Sequence, residues 1–297
     1  MTVLAVQSDV AELLDDLDVF VWDEPRPPPR DDVVVWAPVY GPAHAPEHVR
    51  DMLSIAPAVR VVQLMSAGVD PWPSMIPDGV TLCSGKTIHG GSTAEMAIAL
   101  TLALIRDLPR SAEQQARHEW DRFRPNSLAG KRVLVLGTGD IGNRVIDTLE
   151  TLDARVTGVS RTGEVTLDDA PALLPQTDVV IVALPLTAAT TGLLDATWLA
   201  ALPDGAIVVN VARGPIVDTD ALVAELAAGR LRAGLDVTDP EPLPADHPLW
   251  AQPGLIITPH VGGGALGWQH RAAKLLREQV GRLDSGEQPR YVVDAGY

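Results

Sequence analysis

The chain has 297 residues, 46% of them hydrophobic and 21% charged, the balance of an ordinary globular protein of about two domains. Its 23 basic side chains against 39 acidic ones leave a formal charge of −16, which argues against sequence-independent nucleic-acid binding and against docking on an anionic membrane. A single cysteine, Cys83, excludes an internal disulfide framework and a zinc site built on cysteines.

Short β-branched runs alternate with helical patterns along the chain, which predicts α/β architecture with parallel sheets built from βαβ units. Early strands are expected at 19–22, 33–36 and 61–64, with a proline-rich loop at 25–30 and a helix over 48–55 between them. The Ala- and Leu-rich stretch 92–108 is apolar nearly all round and reads as a buried helix capped by Ser92 or Thr93. After a polar stretch at 110–130, strands fit at 132–136, 155–160, 179–183, 206–210, 233–237 and 255–258. A last helix is expected over 266–283, followed by a tail. No apolar run is long enough to span a bilayer, and the N-terminus lacks a basic, signal-like region, so a cytoplasmic protein is expected.

The clearest motif is Gly137-x-Gly139-x-x-Gly142, directly after an apolar strand and opening a helical pattern. Gly137 permits a tight turn, Gly139 lets backbone approach a pyrophosphate, and Gly142 lets helix and strand pack closely. The N–H groups of Gly139, Asp140 and Ile141 would then face a dianion at the positive end of a helix. The plain alternative is a βα turn with no ligand. Cofactor choice is expected at the end of the next strand, where Ser160-Arg161-Thr162 offers no carboxylate for a ribose 2′-hydroxyl. Arg161 suits a 2′-phosphate, with Ser160 and Thr162 as hydrogen-bond donors, so NADP(H) is the expected cofactor and NAD(H) remains possible.

Three further stretches follow strands: Asn210-Val-Ala-Arg213-Gly, Asp236-Val-Thr-Asp-Pro-Glu241-Pro and Thr258-Pro-His260. Ligand-handling groups collect at such strand ends in an open parallel sheet. Reduction of a 2-oxo acid needs a proton donor for the carbonyl oxygen and a cation for the carboxylate. His260 has the chemistry for the first and Arg213 for the second, and Glu241 can orient the imidazole. The bland reading of a lone histidine is structural, and His89 is the nearest rival to His260. His118-Glu119 lacks the second histidine of a zinc motif, and no metal is expected.

In these motifs and their order the chain resembles the D-isomer-specific 2-hydroxyacid dehydrogenase family, and its Ser160-Arg161-Thr162 ending resembles the glyoxylate and hydroxypyruvate reductase branch. The resemblance implies two Rossmann-like, doubly wound parallel-sheet domains with the active site in the cleft between them. The substrate domain would be 1–92 with 264–297, and the dinucleotide domain 93–263. It makes Arg213, Glu241 and His260 catalytic and places Asp236 on the nicotinamide amide. Leu184-Pro185-Leu186-Thr187 with Thr190, and Val211, Ala212, Gly262 and Gly263, would line the cofactor. Ser66-Ala67-Gly68-Val69-Asp70 resembles the loop whose N–H groups meet the substrate carboxylate. Apart from the resemblance, Trp268, eight residues after His260, is the tryptophan expected to reach a substrate pocket. A homodimer with the 92–108 helix near its two-fold axis is implied. Two departures are Thr238, where the family often has an aromatic residue, and the glycine run Gly262-Gly263-Gly264. The expectation is an NADPH-preferring reductase of small 2-oxo acids. The alternatives are an NAD-dependent enzyme for a bulkier 2-oxo acid, or a dehydrogenase-like nucleotide-sensing or corepressor protein.

Overall fold

The computed structural model describes residues 2–23, 30–38, 46–69 and 71–293, with only the backbone described at 46–48. Residues 25–29 of the proline-rich loop, His44, the His48 side chain and Asp70 therefore lie outside the described residues. The contacts divide the chain into two units, Met1–Gly90 with Ala265–Tyr297, and Gly91–Gly264.

The first unit contains β1 (Val3–Val6), α1 (Ser8–Ala11), β2 (Val19–Val21), β3 (Val33–Trp36), α2 (Pro46–Ile55), β4 (Val61–Gln63) and β5 (Thr81–Cys83), and the closing helix Trp268–Asp284. Its five strands are parallel in the order β2-β1-β3-β4-β5. Alternate residues of each strand serve opposite faces. Leu4, Val6, Val35 and Val61 meet Ala272, Leu275, Leu276 and Val280 of the closing helix, while Val3, Ala5, Trp36 and Val62 form a second core with Met52 and Trp72. Trp36 stacks on Trp22 at 5.0 Å and meets Trp72 edge-on at 5.8 Å, so these tryptophans serve packing. Cys83 is a core residue whose thiol is pushed up to about 12 by burial, which makes it chemically inert. Strands β1 and β5 were not expected from the sequence. All of β1 is buried, so the alternation that marks a half-exposed strand is missing, and β5 is only three residues long.

The second unit opens within α3 (Gly90–Ile105) and continues with α4 (Leu108–Ala116), β6 (Arg132–Leu136), α5 (Asp140–Glu150), β7 (Arg155–Val159), β8 (Val179–Val182), α6 (Ala196–Ala201), β9 (Ile207–Asn210), α7 (Thr219–Ala227), β10 (Arg232–Leu235) and β11 (Leu255–Ile257). The closing helix of the first unit is then α8. Six parallel strands run in the order β11-β10-β9-β8-β6-β7, so the order reverses between β6 and β8. A crevice at such a reversal, outside the carboxyl ends of the strands, is the usual ligand position in doubly wound folds. One face of this sheet packs Leu134, Val180 and Val208 with α7, and the other packs Val133, Ile181 and Val209 with α3 and α5. Both sheets are therefore doubly wound α/β layers, the expected fold class.

Two expectations about α3 need correction. It starts at Gly90, so Ser92 and Thr93 stand in its first turn and are not its N-cap. It is also not buried all round: Ala97, Leu100 and Leu104 are buried, but Ile98, Leu102 and Ala103 are only half-buried. The stretch expected to be polar holds most of α4, which Asp107, in the left-handed region at φ 52°, separates from α3. Pro109 is tolerated there because it lies in the first turn. No residue of α4 is buried, and Trp120 just beyond it is 90% exposed. Among the described residues no helix is long and apolar enough to cross a membrane.

Candidate active site

The turn after β6 is built by its glycines. Gly137 lies at φ 106°, and a Cβ there would stand 2.5 Å from the Ala183 carbonyl oxygen. A Cβ on Gly142 would overlap the Gly137 carbonyl, so α5 can lie against β6 only with glycine at this position. Gly139 caps α5 without any side-chain hydrogen bond, and the space where its Cβ would stand is open. The first-turn N–H groups of Asp140 and Ile141 thus have no side-chain cap and head an eleven-residue helix. Asp140 brings a negative charge to this turn, offset by Arg144, whose Nε donates to Asp140 Oδ1 at 3.0 Å. Asp140 Oδ2 is buried without a hydrogen-bond partner among the described residues. An open cradle at the positive end of a helix fits a pyrophosphate.

Around this turn, β7 ends at Val159, and Arg161 follows as an exposed side chain with no hydrogen bond or ion pair among the described residues. Ser160 is half-buried and Thr162 exposed. At the end of β8, the Leu184-Pro185-Leu186-Thr187 stretch closes on itself. Thr190 Oγ1 donates to the Pro185 carbonyl at 2.7 Å and accepts from the Thr187 N–H at 2.8 Å. That closure explains why the two threonines need this spacing.

Three neighbouring strands, β9, β10 and β11, are followed beyond their carboxyl ends by Arg213, Glu241 and His260, the residues expected to be catalytic. After β9, the buried Asn210 clamps the loop: its Nδ2 donates to the Arg213 carbonyl at 2.8 Å, and its Oδ1 accepts from the Ala212 N–H at 3.0 Å. Arg213 is half-buried and donates through Nη1 to the Ala212 carbonyl at 2.7 Å. A Cβ on Gly214 would overlap the Thr238 carbonyl, so this loop touches the backbone of the loop that carries Glu241. Val211 and Ala212 are buried beneath it.

His260 Nδ1 and Glu241 Oε1 lie 2.6 Å apart, each side chain a little under half exposed. With the Nδ1 proton held by the carboxylate, Nε2 is the nitrogen left to exchange a proton. His260 adopts φ 53°, a left-handed backbone that costs energy in a non-glycine residue. Asp236 holds it there. Its backbone carbonyl accepts from the His260 N–H at 2.8 Å. Its carboxylate, 2% exposed, accepts from Thr258 Oγ1 at 2.5 Å, the Val261 N–H at 3.1 Å and the Gly262 N–H at 2.9 Å. A Cβ on Gly262 would stand 2.7 Å from that carboxylate, which accounts for the first glycine of the run. Ser92 Oγ donates to the Gly263 carbonyl at 3.4 Å, which sets the two chain crossings side by side.

The roles of Asn210, Thr258 and Gly214 were missed in the sequence, although all three stand in the stretches read for chemistry. Their signal was the small or amide residue next to each charged one. Thr238 also gains a physical account: buried, it donates through Oγ1 to the Pro240 carbonyl at 2.9 Å and shapes the approach to Glu241.

In the first unit, Ser66 Oγ donates to the Gly68 carbonyl at 2.7 Å, and Gly85 N–H donates to the Ser66 carbonyl at 2.7 Å, which folds the loop holding Ser66, Ala67 and Gly68. Trp268 opens α8, with its ring tilted over the buried His89 at 5.9 Å. Of the other histidines, His118 and His270 are exposed, and His247 accepts from the Leu249 N–H at 3.2 Å as the cap of a short turn. Among the described residues, no three His, Cys, Asp or Glu side chains group to hold a metal.

Residues 98–262 match the family described as D-isomer specific 2-hydroxyacid dehydrogenase, NAD binding domain. This chain belongs to that family. Glyoxylate reductase from Aeropyrum pernix is 30% identical over 93% of this chain and 90% of its own length. A D-isomer specific 2-hydroxyacid dehydrogenase from Xanthobacter autotrophicus Py2, solved with NADPH and MES, is 31% identical with a TM-score of 0.83 over all of both chains. The NADPH-dependent glyoxylate/hydroxypyruvate reductase of Sinorhizobium meliloti, solved with NADP and sulfate, superposes with a TM-score of 0.86 at 25% identity over both full chains. The chain spans about half the length of the D-3-phosphoglycerate dehydrogenases it also matches. Family membership makes it an NAD(P)-dependent oxidoreductase of 2-oxo and 2-hydroxy acids. In this dehydrogenase the phosphate turn, Arg161 and the His260–Glu241 pair all lie within the matched domain.

Proposed function

We propose that this chain reduces small 2-oxo acids of the glyoxylate and hydroxypyruvate type to D-2-hydroxy acids, with NADPH preferred over NADH. The observation that carries the reading is the His260–Glu241 contact at 2.6 Å, on a turn tied down by Asp236. Residues Gly137, Gly139, Asp140, Ile141 and Gly142 would hold the pyrophosphate, with Leu184, Pro185, Thr190, Val211, Ala212, Gly262 and Gly263 around the rest of the cofactor. When bound, the nicotinamide supplies the hydride. His260 delivers a proton from Nε2 to the carbonyl oxygen, Glu241 keeps the ring oriented through Nδ1, and Arg213 pairs with the carboxylate and polarises the carbonyl. Ser66, Ala67 and Gly68 offer backbone N–H groups to the carboxylate, and Trp268 lines the substrate. In the reverse direction His260 starts neutral and acts as base.

NADPH preference rests on Arg161, which is exposed and has no partner among the described residues, at the position where a carboxylate would favour NADH. The NADPH- and NADP-bound neighbours support it. A homodimer is supported by the half-covered apolar side of α3 and the exposed Trp120, since such surface in a lone chain marks an interface. A panel crossing NADH and NADPH with glyoxylate, hydroxypyruvate, phenylpyruvate and 2-oxoglutarate tests the reading. Fastest turnover is expected with NADPH and the two small acids. Binding of NADPH with no turnover of any acid would favour a sensing role, and a higher kcat/KM with NADH would remove Arg161 from cofactor choice.

A further inference from the structure

Beneath the loop of Ser66, Ala67 and Gly68 lies a polar pair that the chemistry does not use. Gln63 ends β4 and Gln279 stands in α8, and both are 0% exposed. The backbone settles how their amides point. Gln279 Oε1 accepts from the Arg290 N–H at 2.8 Å, so its Nε2 is the donor, to the Arg290 carbonyl at 2.9 Å and to Gln63 Oε1 at 2.5 Å. Gln63 must then present its own Nε2 to the opposite side, where it donates to the carbonyls of Leu64 at 2.9 Å and Ser84 at 3.0 Å. All four amide hydrogens are used.

The two carbonyls held by Gln63 flank the loop. Leu64 leads into it, and Ser84 precedes Gly85, whose N–H holds the Ser66 carbonyl. A Cβ on Gly85 would stand 2.5 Å from the Met65 carbonyl carbon, so the two backbones are in contact. The Ser84 N–H donates to the Tyr291 carbonyl at 2.9 Å, and the Val293 N–H to the Leu82 carbonyl at 2.9 Å, which lays the segment 290–293 along β5. A pair of apolar side chains would fill the same volume but leave the Leu64 and Ser84 carbonyls without these donors.

We propose that Gln63 and Gln279 are positioning residues for the substrate carboxylate, coupling the segment 290–293 to the loop of Ser66, Ala67 and Gly68. This rests on the proposed carboxylate role of that loop, and it adds a determinant of oxo-acid affinity outside the matched domain. Backbone donors are effective only when aimed, and displacement by about 1 Å can cost on the order of a hundredfold.

The test uses Gln279→Met, which keeps the chain length and volume of the side chain and removes its hydrogen bonds, with Gln63→Met as the second variant. Steady-state kinetics with glyoxylate and hydroxypyruvate at saturating NADPH are compared with the Kd of NADPH from its fluorescence. The expected result is an oxo-acid KM raised about tenfold, kcat within about twofold, and an unchanged Kd for NADPH, with the double variant no worse than either single one. A lowered unfolding temperature with the wild-type KM would overturn the inference alone. A wild-type chain inert toward every 2-oxo acid would overturn the functional reading and this inference with it.

Discussion

The two units carry sheets of the same kind, yet they shape the loops beyond their strands by different means. In the second unit the loops after β6, β9 and β11 are set by glycines whose Cβ would strike nearby backbone or a carboxylate, and by hydrogen bonds such as Asn210 to Arg213. The bonds that hold the His260 turn from Asp236 are short in sequence, the one to Gly262 spanning 26 residues. One long-range bond, Ser92 to Gly263 over 171 residues, is added within the glycine run. In the first unit the loop after β4 depends on Gln63 and Gln279, 216 residues apart in sequence. Acid–base chemistry needs side chains at defined angles, and short glycine-bearing turns supply them. A backbone loop with no side-chain chemistry of its own is held from below by other parts of the chain.

The largest effect that can break this contrast is at His260. Changing His260→Ala should lower kcat by at least about 100-fold and flatten its pH dependence. A small, pH-independent loss, measured by steady-state kinetics, would move proton delivery to His89 or to water. Next is Asp236→Asn, which places an amide where a carboxylate accepts from three donors. One buried N–H is then left facing another donor, at a cost of about 1–3 kcal/mol, so kcat should fall about tenfold or more. A rise confined to the KM for NADPH would instead return Asp236 to a contact with the nicotinamide. Comparable in size is Arg161→Ser, expected to lower kcat/KM for NADPH about tenfold while leaving NADH unchanged, as loss of one charge-assisted contact implies. If both cofactors suffer equally, Arg161 supports the turn and does not select. The smallest expected effect concerns salt. Anion handling is assigned to a few arginines and helix N–H groups within a chain of charge −16, so raising the salt from 50 to 200 mM should alter the KM for NADPH by less than about threefold. A steep dependence would reveal a broad basic surface around the phosphate turn.

How much was legible follows the same division. Gly137, Gly139 and Gly142 announce their turn because strand, turn and helix are contiguous. The stretches holding Arg213, Glu241 and His260 were visible because each lies directly after a strand. Asp236 was assigned a cofactor contact by resemblance; its bonds to Thr258, Val261 and Gly262 were not legible, because they result from β10 and β11 lying side by side. Strand β1 was missed because a strand buried on both faces loses its period-two pattern. Helix α4 was missed because its polar composition matched a loop, and nothing in the unit buries it.

By itself the sequence determined the α/β class and the glycine turn after β6, and it singled out Ser160-Arg161-Thr162, Arg213, Glu241 and His260 as candidates, since each depends on residues close together in the chain. Tertiary structure alone decided that Glu241 reaches His260 Nδ1, that Asp236 holds His260 in a left-handed conformation, and that Gln279 supports the loop after β4. Those contacts join strands and helices distant in sequence. Their partners are set by strand order and packing, which no local spacing of residues encodes.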